Sequence, residues 1–340
     1  MNNIYNLTKN DLEQYFIDNG YPKFRATQIY EWIYKKRITN FDAINNIKTE
    51  IIEKLKQDFY FDIIEIVKQE KGTDVIKYLF NLKDKNQIEA VLMLHDYGNS
   101  LCISTQVGCN MGCLFCASGK LKKIRNLEVN EMVSQILVIE KENKLRVSHV
   151  VLMGIGEPFD NYDNVLKFIK IINDNKGIDI GARHITISTC GLIPQIEQFR
   201  QEKLQVNLAI SLHASSDELR TKLMPINKVY KIKDLITVIH KYVKQTKRRV
   251  TFEYIMLDEI NDHKEDAISL AHLLKDINCY VNLIPYNETN NPKYKKSKRV
   301  KIKQFYDILK KYNINVTIRK EFGGNIAAAC GQLRATSLRR

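Results

Sequence analysis

Three cysteines, Cys109, Cys113 and Cys116, lie close together directly after an apolar run at residues 101–107. Such a run predicts a strand, so the three thiols follow the same strand end and share one small volume. Three thiolates can bind a [4Fe-4S] cluster through three of its irons and leave the fourth iron open to a small molecule. The spacing therefore predicts an iron-sulfur site that binds a ligand directly.

Cys102 lies just upstream of this group, so a structural zinc site with four thiolate ligands is the alternative. Zinc sites with four cysteines are usually built from two short C-x2–4-C pairs separated by a long spacer. Here three cysteines form one C-x3-C-x2-C group, and Cys102 lies inside the predicted strand. The spacing favours the iron-sulfur cluster and leaves zinc open as the second interpretation.

Other candidate residues stand where further predicted strands end. A glycine-rich turn containing Gly156 and Glu157 follows the strand predicted at residues 149–153. Its glycines let the backbone approach a ligand, and its carboxylate can accept hydrogen bonds from an ammonium group. Small polar residues at strand ends are also common as helix caps, so each one alone is weak evidence. The remaining candidates at strand ends are Ser188, Ser211, Leu212, His213 and Asn287.

The elements that must hold these residues alternate between strand-like and helix-like segments. Predicted strands lie at residues 101–105, 149–153, 184–189, 205–211, 249–256 and 280–285, with predicted helices at 129–144, 164–173, 231–244 and 264–276. Six successive βα units predict an α/β fold whose parallel strands close partly into a (β/α)6 barrel. In such a barrel the loops after the carboxyl ends of the strands carry the chemistry, which is where the cysteine group lies.

The flanking segments give the chain four predicted parts. Residues 1–70 have apolar residues at helical spacing, with a capping sequence at Thr8, and predict a small helical accessory domain. Residues 71–98 predict a β-hairpin bridge with strands at 75–82 and 88–94, and the barrel is expected over residues 99–320. Residues 321–340 form a C-terminal segment in which glycines flank Cys330, so this thiol is expected on a loop outside the core.

Lysine and arginine outnumber aspartate and glutamate by 53 to 39, a net charge of +14. The excess indicates a polyanionic partner such as RNA, although a lysine-rich composition also follows from an AT-rich genome. Basic residues concentrate in three runs, at 120–125, 244–249 and 293–299. Each run is either a set of phosphate contacts or a solvated face.

The seven cysteines are an odd number, and four of them lie between positions 102 and 116, which does not fit the disulfide framework of a secreted domain. No apolar run approaches the roughly 20 residues needed to span a bilayer, and the first residues lack a signal-peptide pattern. The sequence therefore predicts a cytoplasmic protein. Residues expected to be structural are Cys190, Cys279, His95, His149, His184, His240, His263 and His272.

Longer motifs resemble the radical S-adenosylmethionine (SAM) superfamily and, within it, the bacterial dual-specificity methyltransferases of adenine C2 in rRNA and tRNA. The motifs span nearly the whole chain, at residues 104–109 (STQVGC), 153–158 (MGIGEP), 211–214 (SLHA), 224–227 (MPIN), 282–287 (NLIPYN) and 328–333 (AACGQL). The resemblance implies a partial (β/α)6 radical SAM barrel, an N-terminal domain that binds RNA, one [4Fe-4S] cluster, and SAM in two roles. It also implies 23S rRNA and tRNA as substrates and a one-electron reductant such as flavodoxin or ferredoxin.

The resemblance implies a role for each candidate residue. The three clustered cysteines would hold the iron-sulfur cluster through three ligands. The residues at strand ends would bind SAM, namely Gly156, Glu157, Ser188, Ser211, Leu212, His213 and Asn287.

Three further residues would carry the methyl transfer. Cys330 would accept a methyl group from one SAM, and a 5′-deoxyadenosyl radical from a second SAM would then remove a hydrogen from that methyl so that its carbon adds to adenine C2. Glu89 would take the C2 proton, and Cys102 would release the product by forming a disulfide with Cys330. By residue type alone, Cys102 is a buried apolar thiol and Glu89 a solvent-facing strand residue.

Two rival functions stay open. A sister family that methylates adenine C8 shares almost all of these motifs but typically has alanine where this chain has Pro158, which favours C2. A non-catalytic RNA-binding protein with structural zinc is the rival of another class. The chain also departs from the family pattern at Asn325 and Ala327, where acidic residues are usual, so the segment before Cys330 loses two negative charges.

Overall fold

The computed structural model describes residues 1–288, 292–319 and 332–333. The N-terminal part contains the helices α1 (Lys9–Asp18), α2 (Phe24–Tyr34) and α3 (Thr49–Asp58) and the short strands β1 (Asn2–Asn3) and β2 (Phe59–Tyr60). The predicted cap of α1 is confirmed, because Thr8 Oγ1 accepts a hydrogen bond from the Asp11 N–H and the Asp11 carboxylate accepts one from the Thr8 N–H.

Four strands then form an antiparallel meander: β3 (Glu65–Lys71), β4 (Val75–Asn81), β5 (Gln87–His95) and β6 (Gly98–Cys102). The predicted hairpin corresponds to β4 and β5, in the middle of this meander. Strand β3 lies in a segment that we expected to be helical. Its sequence is mostly charged, which suits an edge strand, because an edge strand with charged side chains resists pairing with another chain.

The chain continues with two short paired strands, β7 (Gln106–Val107) and β8 (Arg125–Asn126), and then with parallel strands joined by helices. The parallel strands are β9 (Val147–Leu152), β10 (Ile185–Thr189), β11 (Asn207–Ser211), β12 (Val250–Met256), β13 (Cys279–Pro285) and β14 (Val316–Ile318). The helices are α4 (Val129–Asn143), α5 (Tyr162–Asn173), α6 (Ile193–Phe199), α7 (Asp217–Leu223), α8 (Ile232–Thr246), α9 (Lys264–Leu274) and α10 (Arg299–Lys311).

One ten-stranded sheet joins the meander to the parallel strands, in the order β14-β13-β12-β11-β10-β9-β6-β5-β4-β3. Strand β6 is the junction, since it pairs antiparallel with β5 and parallel with β9. The parallel strands follow each other in chain order, as in a barrel wound in one direction. The two edge strands, β14 and β3, do not pair with each other, so the barrel is open on one side. This is the predicted α/β architecture.

The core lies between the sheet and its helices, and the parallel strands are rich in buried isoleucine, valine and leucine, as expected when both faces are covered. Within the described part of the chain, no helix has the length and hydropathy needed to cross a bilayer.

Candidate functional site

The cysteine loop, which we define as residues 108–121, follows β7 at the carboxyl ends of the parallel strands. Cys109, Cys113 and Cys116 line one cavity of about 130 Å³. The loop folds back on itself, because the Cys109 N–H donates to the Leu121 carbonyl over 2.9 Å. Glycine is required at position 119, where a Cβ would lie 2.4 Å from the Cys113 carbonyl oxygen. The loop therefore presents the three thiols to a common space.

Burial controls the ionisation of these thiols. It raises the pKa of Cys109 to about 12 and also raises the pKa values of Cys113 and Cys116, because a bare thiolate is poorly solvated there. A bound iron ion reverses this preference, since a coordinating thiol loses its proton. The thiols are thus suited to hold a cationic group and unsuited to remain as free nucleophiles.

A four-thiolate zinc site does not match the observed arrangement. Cys102 lies on β6, where it packs against a small apolar cluster that includes Val91 and Ile155. It is not among the residues that line the cysteine cavity. Among the described residues, no three His, Cys, Asp or Glu side chains converge closely enough to hold a single metal ion. The fourth thiol that zinc would need is therefore separate from the other three.

The opposite wall of the cavity is formed by strand ends. Five of the seven candidate ligand-binding residues line it: Gly156, Glu157, Ser188, Ser211 and His213. Gly156 has φ of 113°, and a Cβ there would lie 2.7 Å from the Gln106 Cβ, so only glycine lets this turn pack against β7. Leu212 is fully buried in the core, and Asn287, which follows β13, does not line this cavity.

Glu157 is buried, and its carboxylate is held by the backbone. One oxygen accepts a hydrogen bond from the Cys190 N–H over 2.8 Å, and the other accepts one from the Phe159 N–H over 3.0 Å. Burial raises the pKa of Glu157, and these hydrogen bonds oppose the shift because they favour the charged form. The side chains of Thr189 and Cys190 also hydrogen-bond to this carboxylate. Glu157 lines the cavity, so its negative charge faces the space where a ligand amine would bind.

His213 is a neutral, positioning side chain. Burial, reinforced by the nearby Arg220 cation, lowers the pKa of His213 to about 3. Its Nδ1 accepts a hydrogen bond from the Ile255 N–H over 3.1 Å, so Nε2 carries the proton. The ring contacts Phe115 edge-to-face, with centroids 4.8 Å apart. His213 therefore braces the cysteine loop from the barrel side.

Sequence reasoning missed two buried charged residues at the site. Glu253 lines the cavity from β12. The sequence feature that could have identified it is a single acidic residue within a mostly apolar strand. Arg220 of α7 is fully buried, and its guanidinium donates to the carbonyl oxygens of Leu212, Cys190 and Ser211 and to the Asn227 side chain. It ties together two strand ends that flank the cavity. Nothing in the sequence distinguished it from a surface arginine.

We expect Arg220→Met to lower the free energy of unfolding by about 3 kcal/mol, because buried carbonyl groups lose their donor. Thermal unfolding and the iron content of the purified protein measure the effect, and both should fall. Lys222→Met on the same helix is the control, since Lys222 is exposed and forms a surface ion pair with Glu218. Equal stability of the two variants would contradict the bracing role of Arg220.

The predicted resolving cysteine and proton acceptor lie on neighbouring strands. Cys102 of β6 pairs with Val91 of β5, two residues after Glu89. The glutamate is buried, contrary to the solvent-facing position expected by residue type, and one of its carboxylate oxygens lies 3.8 Å from Lys77 Nζ. The backbone carbonyl oxygen of Glu89 accepts a hydrogen bond from Ser104 Oγ over 2.6 Å.

The C-terminal residues that the structure describes return to this region. Leu333 is buried in the same small apolar cluster as Cys102. The Leu333 carbonyl accepts a hydrogen bond from Ser118 Oγ, which belongs to the cysteine loop and lines its cavity. Cys330, Asn325 and Ala327 lie outside the described residues.

Part of the basic run at 120–125 has structural partners. Lys123 pairs with Asp160 over 2.7 Å, and Arg125 pairs with both Asp84 and Glu131. In the run at 244–249, the Arg249 guanidinium lies over the Tyr280 ring, 4.9 Å from its centroid, which is within the range of about 6 Å for a cation–π contact. These side chains are therefore not fully available to phosphates.

Comparison with known proteins gives consistent matches over the whole chain. Residues 103–271 match the radical SAM superfamily, and residues 2–61 match the ribosomal RNA large subunit methyltransferase N-terminal domain. A relative from Acholeplasma laidlawii, named probable dual-specificity RNA methyltransferase RlmN, is 52% identical and covers 98% of this chain and 99% of its own. A relative of the same name from Enterococcus faecalis is 50% identical, covering 99% and 97%.

One solved structure is closely similar. The radical SAM methyltransferase from Sphaerobacter thermophilus superposes with a TM-score of 0.91, at 38% identity, over 98% of this chain and 100% of that protein.

Proposed function

This chain belongs to the family of radical SAM dual-specificity RNA methyltransferases, and we propose that it methylates C2 of an adenine in 23S rRNA and in tRNA. It is an enzyme, and its family uses a [4Fe-4S] cluster and SAM to methylate ribosomal RNA. The choice of C2, the action on tRNA and the residues that perform each step are the proposal.

We assign the cluster to Cys109, Cys113 and Cys116, with one cluster per chain. When bound, the cluster would supply one electron for the cleavage of SAM. The lining of the cysteine cavity supports this assignment, because the thiols share one cavity with a buried carboxylate, Glu157, that can accept a hydrogen bond from the amino group of SAM. Ser188, Ser211, His213 and Gly156 form the rest of the proposed SAM site within this cavity, and the roles of Leu212 and Asn287, which do not line it, stay predictions.

The chain's own residues would carry the carbon. The Cys330 thiol loses its proton and attacks the methyl of one SAM, so that the S–CH3 bond to the sulfonium breaks as the new S–CH3 bond forms. A second SAM serves the radical step: the 5′-deoxyadenosyl radical takes a hydrogen atom from the S-methyl group, the resulting carbon radical adds to adenine C2, and the adduct gives back one electron. Glu89 then removes the C2 proton, the Cys102 thiolate attacks the Cys330 sulfur to form a disulfide as the sulfur–carbon bond breaks, and the released carbon takes up a proton to become the methyl group. The resulting disulfide takes up two electrons and two protons from a reductant before the next turnover, and a one-electron reductant such as flavodoxin or ferredoxin would supply the electron that cleaves SAM.

The anchorage of Leu333 is the observation that supports this proposal most directly. Leu333 packs in the cluster that contains Cys102 and accepts a hydrogen bond from Ser118 in the cysteine loop. Cys330 precedes Leu333 by three residues, and three residues of chain span at most about 11 Å, which supports the assignment of Cys330 as the thiol that meets both Cys102 and the cluster cavity. A methyl-accepting thiol must reach both.

The other parts of the chain fit the same proposal. We assign RNA binding to residues 1–70, a bridging role to residues 71–98, the catalytic barrel to residues 99–320 and delivery of Cys330 to residues 321–340. The N-terminal match to a ribosomal RNA methyltransferase domain supports the first assignment. The enzyme would meet its RNA in the cytoplasm.

Mass spectrometry of nucleosides tests the position of methylation. The cluster-loaded protein is incubated anaerobically with 23S rRNA or tRNA, SAM and a reductant, and the RNA is digested. We expect 2-methyladenosine from both RNAs, because Pro158 matches the C2 family. Detection of 8-methyladenosine would assign the chain to the sister activity, and colourless protein with one zinc and no iron would favour the non-catalytic alternative.

A further inference from the structure

A second cavity, of about 730 Å³, lies inside the open side of the barrel and adjoins the site. Val151 of β9 lines it and pairs in the sheet with Cys102. On the facing wall, Asn282 of β13 lines the cavity and donates a hydrogen bond over 2.9 Å to Glu253, which lines the cysteine cavity. The second cavity therefore meets the catalytic region at both walls, and it offers a route from the open side of the barrel.

Tyr97 stands at the rim of this cavity, in the turn between β5 and β6. The residue is 71% exposed, yet its ring is held by two neighbours. It stacks nearly parallel on His95, with centroids 4.6 Å apart and planes 10° apart, and it meets the His149 ring edge-to-face at 5.6 Å. With one face covered by His95, the other face of the tyrosine ring is open to solvent.

The turn that carries Tyr97 is fixed against the barrel. Gly98 has φ of 128°, and a Cβ there would lie 2.3 Å from Ser148 Oγ, so glycine allows the turn to pack directly on β9. Ser148 Oγ also donates to the Asn99 carbonyl over 3.1 Å. An exposed ring on a fixed turn loses little conformational freedom when a flat ligand stacks on it.

The charges around the cavity select among ligands. Asp74 and Asp96 line it together with Arg319. Among the described residues that line the cavity, two carboxylates against one guanidinium make a poor site for a phosphate and a better one for an uncharged ring. Aromatic side chains are the usual stacking partners of unpaired RNA bases.

We propose that Tyr97, backed by His95, stacks the base of the RNA nucleotide next to the target adenine. This rests on the proposed function, because it requires an RNA whose adenine is unstacked and inserted toward Cys102. Because residues 98–102 are extended as β6, Tyr97 lies about 17 Å along the chain from Cys102, too far to hold the reacting base itself. When the target adenine leaves its stack, the adjacent base loses a stacking partner, and the Tyr97 ring takes the place of that partner.

The test compares Tyr97→Ala, Tyr97→Phe and a control, Tyr312→Ala, in the cluster-loaded full-length protein. Tyr312 is also an exposed tyrosine beside a histidine, 5.2 Å from the His272 ring, but it lies at the end of α10, away from the cavity. The dissociation constant for a 23S rRNA fragment, KM and kcat for its methylation, and methylation of the protein by SAM without RNA are measured. We expect Tyr97→Ala to raise the dissociation constant and KM for RNA about tenfold, the loss of one base stack.

The phenylalanine variant should bind RNA within about twofold of wild type, since the ring and not the hydroxyl makes the stack. Methylation of the protein without RNA should be the same in all variants, which shows that the site is intact. Wild-type RNA binding by Tyr97→Ala, or equal losses in the alanine and phenylalanine variants, would overturn the stacking role. Failure of the proposed function has a different signature, namely that wild-type protein leaves both itself and the RNA unmethylated.

Discussion

Cys330→Ala is expected to abolish both methylation of the protein and methylation of RNA, while the iron content stays at the wild-type level. Removal of the nucleophile from a covalent mechanism costs at least about 10³-fold in rate, because no other group can take its place in the bond-forming step. The buried thiols near the site cannot substitute. Burial raises the pKa of Cys190 well above its ordinary value, so its thiolate is scarce at neutral pH.

Radiolabelled SAM measures both transfers. Label from the methyl group should appear in wild-type protein without RNA and should be absent from Cys330→Ala. Cys279→Ala is the matched control, because Cys279 is a buried cysteine at the opposite end of β13 from the site. If Cys330→Ala still methylates RNA, the carbon does not travel through this thiol and the proposed mechanism is wrong.

Cys102→Ala is expected to trap a covalent complex between protein and RNA. In the proposed sequence the carbon joins adenine C2 while it is still bonded to the Cys330 sulfur, and only attack by a second thiol breaks that bond. Alanine removes the thiol and keeps the apolar packing of this strand position against Val91 and Leu333. The complex should therefore accumulate in amounts close to the amount of enzyme, with turnover lowered by at least about 10³-fold.

Denaturing gel electrophoresis with labelled RNA detects the complex, and RNase digestion followed by mass spectrometry locates the attachment. The double variant Cys102→Ala/Cys330→Ala is the control and should give no complex, since it has no sulfur to which the RNA can be attached. Wild-type turnover by Cys102→Ala would show that another group resolves the intermediate, and would remove Cys102 from the mechanism.

The parts of the fold that could be predicted are those with local signals. The cap at Thr8 and the alternation of apolar strands with helices were readable because each depends on residues close in sequence. The cysteine spacing identified the loop for the same reason. The parallel pairing of β6 with β9, which brings the Gly156 turn to that loop, joins segments far apart in the chain and was reached only through the general rule for βα units.

The parts of the site that were missed depend on contacts between distant elements. Arg220 lies on a short helix between Asp217 and Lys222, a charged context typical of a surface. Its burial follows from the approach of two strand ends that no local pattern records. The burial of Glu89 has a similar cause. It depends on the pairing of β5 with β4 on one edge and with β6 on the other. The stacked rings of Tyr97 and His95 likewise depend on a turn packed against β9.

The contacts of Leu333 set the free energy needed to release this residue from the apolar cluster around Cys102. One buried leucine contributes about 2 kcal/mol and one hydrogen bond about 1 kcal/mol, so detachment costs about 3 kcal/mol. These two contacts alone would leave about one Leu333 in a hundred detached, without any opening of the barrel. An attachment of this strength fits the proposed reaction, in which the Cys330 sulfur reacts first with SAM and later with Cys102. A tighter attachment would slow the exchange between the two positions, and a weaker one would leave the thiol exposed to solvent.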